Sequence, residues 1–417
     1  MRFIKPTGIM TGLVLFIGLV AWADTNGRIY GKLETIDGYV YEGLIRWDKN
    51  EGNWVDVLDG TKELSRRDRD NESRRRKYRD REHSIEIFGF KISKVNSYWN
   101  WSSSAQSGIR FGHIKTLEVI DDDAVLLMLK SGEELRLENG STDIGSSIRE
   151  IVIEDERDGE IELIWDDIET IDFMQAPSDI ISNFGERLYG TLISRRGDEY
   201  TGFVCWDVDE LFTRDILDGD EDRGRRKRKL KFGKIKSIER YSSSRATVTL
   251  INGDEIILCG TNDVDESNRG IVISDPGFGQ VVVDWDEFDR LDFKRPPRSI
   301  EYKEFDGGRP LEGTVYTEDG NEYSGRIRWD DDEEYTWEIL NGEYRNVEYD
   351  IEFGLIKEIQ KRSYRSAVVT VLDGRSFRLR GSNDVDEDNK GIFITTSDGE
   401  EVEIFWEDFD RLEFVGN

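Results

Sequence analysis

Two octapeptides carry the residue types that a hard cation takes. Asp263-Val-Asp-Glu-Ser-Asn-Arg-Gly and Asp384-Val-Asp-Glu-Asp-Asn-Lys-Gly set oxygen-bearing side chains at alternate positions, and such clusters on a turning backbone suit calcium. The candidate ligands are Asp263, Asp265 and Asn268 in one segment and Asp384, Asp386 and Asp388 in the other. The spacing departs from the EF-hand loop, because glycine comes two residues late and no glutamate stands at the twelfth position. A third copy, Asp143-Ile-Gly-Ser-Ser-Ile-Arg-Glu, keeps only the leading aspartate. A plain turn, with the Asp side chain capping backbone amides, is the competing reading for all three. Calcium is the one candidate cofactor, and no other is expected.

Other chemistry has little to work with. The chain holds two histidines, His83 and His113, and the positions matching His113 in two later copies of the repeat described below are Lys234 and Leu355. Both histidines therefore read as solvent-facing strand or turn residues rather than general bases. No Gly-x-Ser-x-Gly elbow, His-Glu-x-x-His helix or Gly-x-x-x-x-Gly-Lys loop occurs. Among 89 acidic residues, carboxylate pairs identify nothing by themselves. Cys205 replaces an arginine found at Arg46 and Arg328, and Cys259 stands where the other copies have Glu138 and Arg380. In an oxidising compartment this pair reads as a disulfide between neighbouring strands, against the alternative of two unrelated thiols.

Basic insertions are the strongest lead to a partner. Arg66 to Arg81 carries nine positive and four negative charges, and Arg223 to Lys231 carries seven positive charges and no acid. Both fall at the same point of the repeat, so Arg74, Arg75, Arg76, Lys77 and Arg79 match Arg225, Arg226, Lys227, Arg228 and Lys229 as basic loop tips. They are expected to contact an anionic envelope component, a glycan or a second copy of the chain, the plainer reading being a solvated hairpin tip. Tyr98-Trp99-Asn-Trp101 is an aromatic insertion of the first repeat. Its rings suit glycan stacking, with packing into the module's own core as the alternative.

These residues are carried by a long internal repeat. Phe111-Gly-His-Ile, Phe232-Gly-Lys-Ile and Phe353-Gly-Leu-Ile are spaced by 121 residues both times. Tyr41-Glu-Gly-Leu-Ile-Arg-Trp-Asp, Tyr200-Thr-Gly-Phe-Val-Cys-Trp-Asp and Tyr323-Ser-Gly-Arg-Ile-Arg-Trp-Asp open the copies. The repeats are cut at 24–175, 186–297 and 309–417, with Pro177, Pro296 and Pro297 at the seams. Each copy splits into two modules closed by an aromatic–x–x–apolar–x–x–apolar pattern, as in Phe111/Ile114/Leu117 and Trp165/Ile168/Ile171. That spacing predicts one 3₁₀ turn leading into a strand. Asp37-Gly38, Asn252-Gly253 and Asp319-Gly320 predict tight hairpin turns. No stretch after residue 23 shows a helical apolar stripe. The expected class is all-β, as three tandem repeats of two small modules each.

Each module loosely resembles an SH3-like or Sm-like small barrel, and a six-bladed β-propeller is the alternative. Over its whole length the chain resembles uncharacterised secreted bacterial β-repeat proteins, through the Tyr-x-Gly-x-Ile-x-Trp-Asp segment. The resemblance implies no activity and carries over no site residue.

Residues 1–23 read as a secretory signal: Arg2 and Lys5, the apolar run Ile9 to Val20, then Ala21-Trp22-Ala23, with Asp24 starting the mature chain. Losing Arg2 and Lys5 takes the net charge from −31 to −33. So acidic a chain, exported, is not expected to bind nucleic acid, and no membrane-spanning segment is expected after cleavage. A non-enzymatic periplasmic or extracellular binding or assembly protein is the expected function. A carbohydrate-active or carbohydrate-binding protein and a calcium-stabilised structural protein are the alternatives.

Overall fold

Alternation of apolar and polar residues, broken every few residues by glycine-containing turns, gives strands throughout. The computed structural model describes residues 25–63, 86–87, 90–91, 104–138, 141–178, 180–221 and 226–416. The described residues form strands and short 3₁₀ turns with no α-helix, so the all-β class holds. Among them no helix is long and apolar enough to cross a membrane. The signal segment, the Arg74–Arg79 tip, Arg225, His83 and the Tyr98–Trp101 insertion lie outside the described residues.

Repeat 1 is a ten-stranded antiparallel sheet, with a separate short pair at Glu86–Ile87 and Phe90–Lys91. Its order from one edge is Gly159–Leu163, Ile151–Asp155, Val40–Trp47, Tyr30–Thr35, Ile168–Phe173, Ile114–Asp121, Ala124–Leu129, Glu134–Glu138, Val57–Glu63 and Ser104–Arg110. The pairing runs across the expected module boundary: Tyr30–Thr35 pairs with the closing strand Ile168–Phe173, and Val40–Trp47 with Ile151–Asp155. Repeat 2 keeps the same order. Repeat 3 keeps eight strands of it, while its hairpin Ile339–Tyr344/Val347–Glu352 has joined the edge of repeat 2's sheet. There Val347–Glu352 pairs with Gly279–Val283.

Four of the six closers act as expected, while those at Trp285 and Trp406 are plain turns before their strands. Phe111–His113, Trp165–Asp167, Phe232–Lys234 and Phe353–Leu355 are 3₁₀ turns, each running straight into a strand. The hairpins differ in one detail: only glycine takes positive φ, at +78° for Gly38, +91° for Gly253 and +87° for Gly320. These are three-residue loops with a left-handed glycine after the turn.

In each repeat one tryptophan from each half meets the other edge to face. Trp47–Trp165, Trp206–Trp285 and Trp329–Trp406 each have centroids 6.3 Å apart. Such pairs add about 0.5–1.5 kcal/mol each beyond burial, and they tie the two halves into one core.

The repeats touch pairwise. Arg187 of repeat 2 meets Asp56 of repeat 1 at 3.2 Å, and Arg46 of repeat 1 meets Asp215 of repeat 2 at 3.0 Å. Lys62 of repeat 1 pairs with Glu338 of repeat 3. Arg110 joins all three, bonding the Asp275 carbonyl and lying 3.2 Å from Glu352. The second linker packs on repeat 1, where Tyr302 donates to the Ile114 carbonyl at 2.7 Å.

Candidate functional site

A five-residue loop recurs immediately after the first tryptophan of each repeat: Trp47 to Glu51, Trp206 to Glu210 and Trp329 to Glu333. Backbone bonds in both directions between the end residues close it, at 2.8–3.1 Å. Two successive non-glycine residues in each loop are left-handed: Asp48 and Lys49, Asp207 and Val208, Asp330 and Asp331. This conformation is costly, most of all for the β-branched Val208. It turns the Asp carboxylate inward, and Asp48, Asp207 and Asp330 are fully buried.

A second segment supplies another acid. Asp143, Asp263 and Asp384 each accept the indole N–H of the loop tryptophan on the peptide oxygen, at 3.0–3.1 Å. Their Oδ2 atoms accept from the backbone N–H of Asp59 at 2.9 Å, Asp218 at 2.6 Å and Asn341 at 2.6 Å. Six residues further on, Arg149, Arg269 and Lys390 return to the loop, pairing with Asp48 at 3.1 Å, Asp207 at 2.7 Å and Asp330 at 3.4 Å.

In repeats 2 and 3 the result is a carboxylate trio, fully buried in repeat 3 and with Glu210 half-buried in repeat 2. Oxygens of Asp207, Glu210 and Asp263 all lie within 4.8 Å of one another, and so do those of Asp330, Glu333 and Asp384. The Oε2 atoms of Glu51, Glu210 and Glu333 are buried without a hydrogen-bond partner. Burial, aided by the neighbouring carboxylates, pushes Glu210 up to about 10 and Asp263 up to about 7. Burial raises Glu51 and Glu333 well above the usual range. It takes Asp143 and Asp330 to about 7, Lys390 pulling Asp330 the other way.

Of the sequence-predicted ligands, Asp263 and Asp384 enter the trios. Asp265, Asn268, Asp386 and Asp388 belong instead to the turn that follows. Asp265 accepts from the Ser267 N–H at 3.0 Å, Asn268 from the Gly270 N–H at 3.1 Å, and Asp386 from the Asp388 N–H at 2.9 Å. The turn reading therefore holds for these four residues, while Asp263 and Asp384 lie among other carboxylates. The glutamates were missed, although Trp-Asp-x-x-Glu recurs in all three repeats.

The expected disulfide is not formed; Cys205 and Cys259 are free. Their strands, Glu199–Cys205 and Glu255–Cys259, have four others between them in the sheet order. Cys205 faces repeat 1 in a cluster with Val152, Phe184, Leu211 and Phe212, where burial pushes its thiol up. Cys259 Sγ donates to the Asp220 carbonyl at 3.4 Å. His113 is also not solvent-facing. It is buried between repeats 1 and 3, its Nδ1 accepting from the Gly307 N–H at 3.2 Å and its ring edge-on to Phe305.

The second basic tip is partly described. Strand Lys227–Lys231 pairs with Ile216–Glu221 and ends its sheet. Arg226, Lys227, Lys229 and Lys231 are exposed, with Lys234 beside them, while Arg228 pairs with Glu221. None of those five exposed cations forms an ion pair among the described residues.

Comparison with protein-family models, with curated proteins and with solved structures finds no match.

Proposed function

We propose that the chain is an exported, non-enzymatic β-repeat scaffold for binding or assembly, and that its basic hairpin in repeat 2 captures an anionic partner. One observation carries this reading. The hairpin that repeat 3 spends on docking to repeat 2 is, in repeat 2 itself, a sheet edge bearing exposed Lys227, Lys229 and Lys231. Edge lysines oppose pairing with another chain's strand, so the attraction is electrostatic rather than strand addition. The acidic remainder of the surface repels anions elsewhere and confines capture to the tip. Enclosure of the perturbed carboxylates also favours binding over catalysis, since Asp48, Asp207 and Asp330 offer no surface to a substrate.

Reversal of Lys227, Lys229 and Lys231 to Glu tests it. Binding to anionic vesicles, to a sulfated or uronic polysaccharide, or to a second copy is measured by sedimentation at low salt. The expected loss is roughly tenfold or more, at ~0.5 kcal/mol per exposed charge contact. Unchanged binding in every arm overturns the reading.

A second reading, carbohydrate binding, is favoured by a groove between repeats 2 and 3 with a volume of ≈ 330 Å³. Half-buried Tyr344 and Phe377 line it beside Asp198, Glu199 and Arg378, over buried Tyr200 and Tyr349, whose hydroxyls bond each other at 3.0 Å.

A further inference from the structure

We propose that Asp330, Glu333 and Asp384 hold one calcium ion in repeat 3 and that Asp207, Glu210 and Asp263 hold a second in repeat 2. The inference is independent of the hairpin. Acidic residues crowd together on many surfaces without an ion, but the repeat 3 trio is enclosed. Glu333 is 8% exposed, Asp384 4% and Asp330 0%. Glu333 Oε2 is buried in the trio with no hydrogen-bond donor. A polar atom so placed costs free energy unless something occupies the space beside it. The same orphan oxygen recurs on the half-buried Glu210, between the buried Asp207 and Asp263.

Charge points to a cation, and the enclosure of the site to calcium. In repeat 3, Lys390 lies 3.4 Å from Asp330 and 3.7 Å from Asp332. In repeat 2, Arg269 lies 2.7 Å from Asp207 and 3.0 Å from Asp209. Glu333 and Asp384, like Glu210 and Asp263, have no ion-pair partner among the described residues. Two carboxylates in each site thus meet no cation within ion-pair distance, a charge that one divalent cation would offset. Calcium takes oxygens at roughly 2.3–2.6 Å, so ligands on opposite sides of it stand about 4.8 Å apart. Each trio's oxygens lie within 4.8 Å of one another, close enough for one such ion to reach all three. Magnesium needs a tighter shell and gives up its waters reluctantly, which suits an enclosed site poorly. Among the described residues, the first repeat's Asp48, Glu51 and Asp143 do not meet this spacing, so two ions per chain are expected.

The experiment uses the full chain, stripped with chelator and titrated with calcium. Melting temperature and calorimetric heat are followed, and bound metal is counted by elemental analysis. Terbium serves as an optical probe, because the indoles of Trp329 and Trp206 hydrogen-bond to the carbonyls of Asp384 and Asp263 at 3.1 and 3.0 Å and can sensitise its emission. Calcium should raise the melting temperature, two ions should be counted, and excess magnesium should not displace terbium. Glu333→Gln, whose amide matches the shape of the protonated acid, should lose about half the terbium emission, and Glu210→Gln with Glu333→Gln nearly all of it. Near-UV circular dichroism establishes that the variants are folded. Should they fail to fold, Asp384→Asn, which still accepts from the Asn341 N–H, replaces Glu333→Gln. No heat, no melting shift and no terbium signal in the wild type overturn the proposal and leave protons in the trios. Binding unchanged in the double variant overturns it equally, by placing the ion elsewhere.

Discussion

Asp350 shows what a seam between repeats does to a carboxyl group. It lies on the strand that repeat 3 adds to repeat 2, opposite Gln280, and its oxygens accept from the Asn341 amide at 2.7 Å and the Gln280 amide at 3.4 Å. Burial lifts it to about 6 against the amides' opposite pull. A carboxyl raised by folding favours the folded state while it is protonated. Its contribution is complete below the unfolded value near 4 and is lost as pH rises through about 6. Asp350→Asn stays neutral throughout. Its melting temperature should match the wild type near pH 3.5 and exceed it at pH 7.5, by up to ~3 kcal/mol in stability at about 1.4 kcal/mol per unit. Parallel melting curves across that range count against the assignment. The sequence showed Asp263, Asp384 and the three Trp-Asp pairs. It did not show that they converge, because more than fifty residues separate each loop from the acid that completes its trio. Asp56, Asp215 and Glu338 escaped notice for the same reason. Each stands nine residues after its tryptophan and pairs with a cation of another repeat. Spacing within a repeat says nothing about contacts between repeats.

At the scale of elements, the glycine of Tyr-x-Gly marks where two halves of a repeat cross most closely. A Cβ on Gly43 would lie 1.9 Å from the Glu154 carbonyl oxygen, on Gly202 2.4 Å from that of Ser274, and on Gly325 2.1 Å from that of Thr395. The obstacle is backbone and cannot swing aside. Gly202→Ala should therefore destabilise by about 1–3 kcal/mol, read as a melting temperature lower by several degrees. A variant that melts with the wild type would show that the strands part without cost. Turns and strands were legible because their signals are local: Asn-Gly and Asp-Gly pairs, period-two alternation, and aromatic residues three before an apolar one. Partner choice was not. A strand such as Val40–Trp47 alternates in the same way whether it pairs within its own half or with Ile151–Asp155, so the two halves of each repeat looked separable when they share one sheet.

For the whole molecule, the three repeats are mutually dependent. Repeat 3 covers the edge strand Gly279–Val283, whose five residues are buried. A chain ending after residue 308 would bare that apolar edge, and such edges recruit other strands. It should elute as oligomers or aggregate in gel filtration. A monomeric two-repeat fragment would show that the edge is protected without repeat 3. Open repeat arrays, in which each unit touches only its neighbours, can gain or shed a unit with little penalty. Here Arg110 reaches into both other repeats at once, and the first and last units are themselves in contact. Unequal recombination that deleted or added a copy would break these junctions rather than shorten or extend a stack. Copy number is thus under structural constraint, and variation among descendants of this gene should accumulate in the hairpin tips rather than in the count of units.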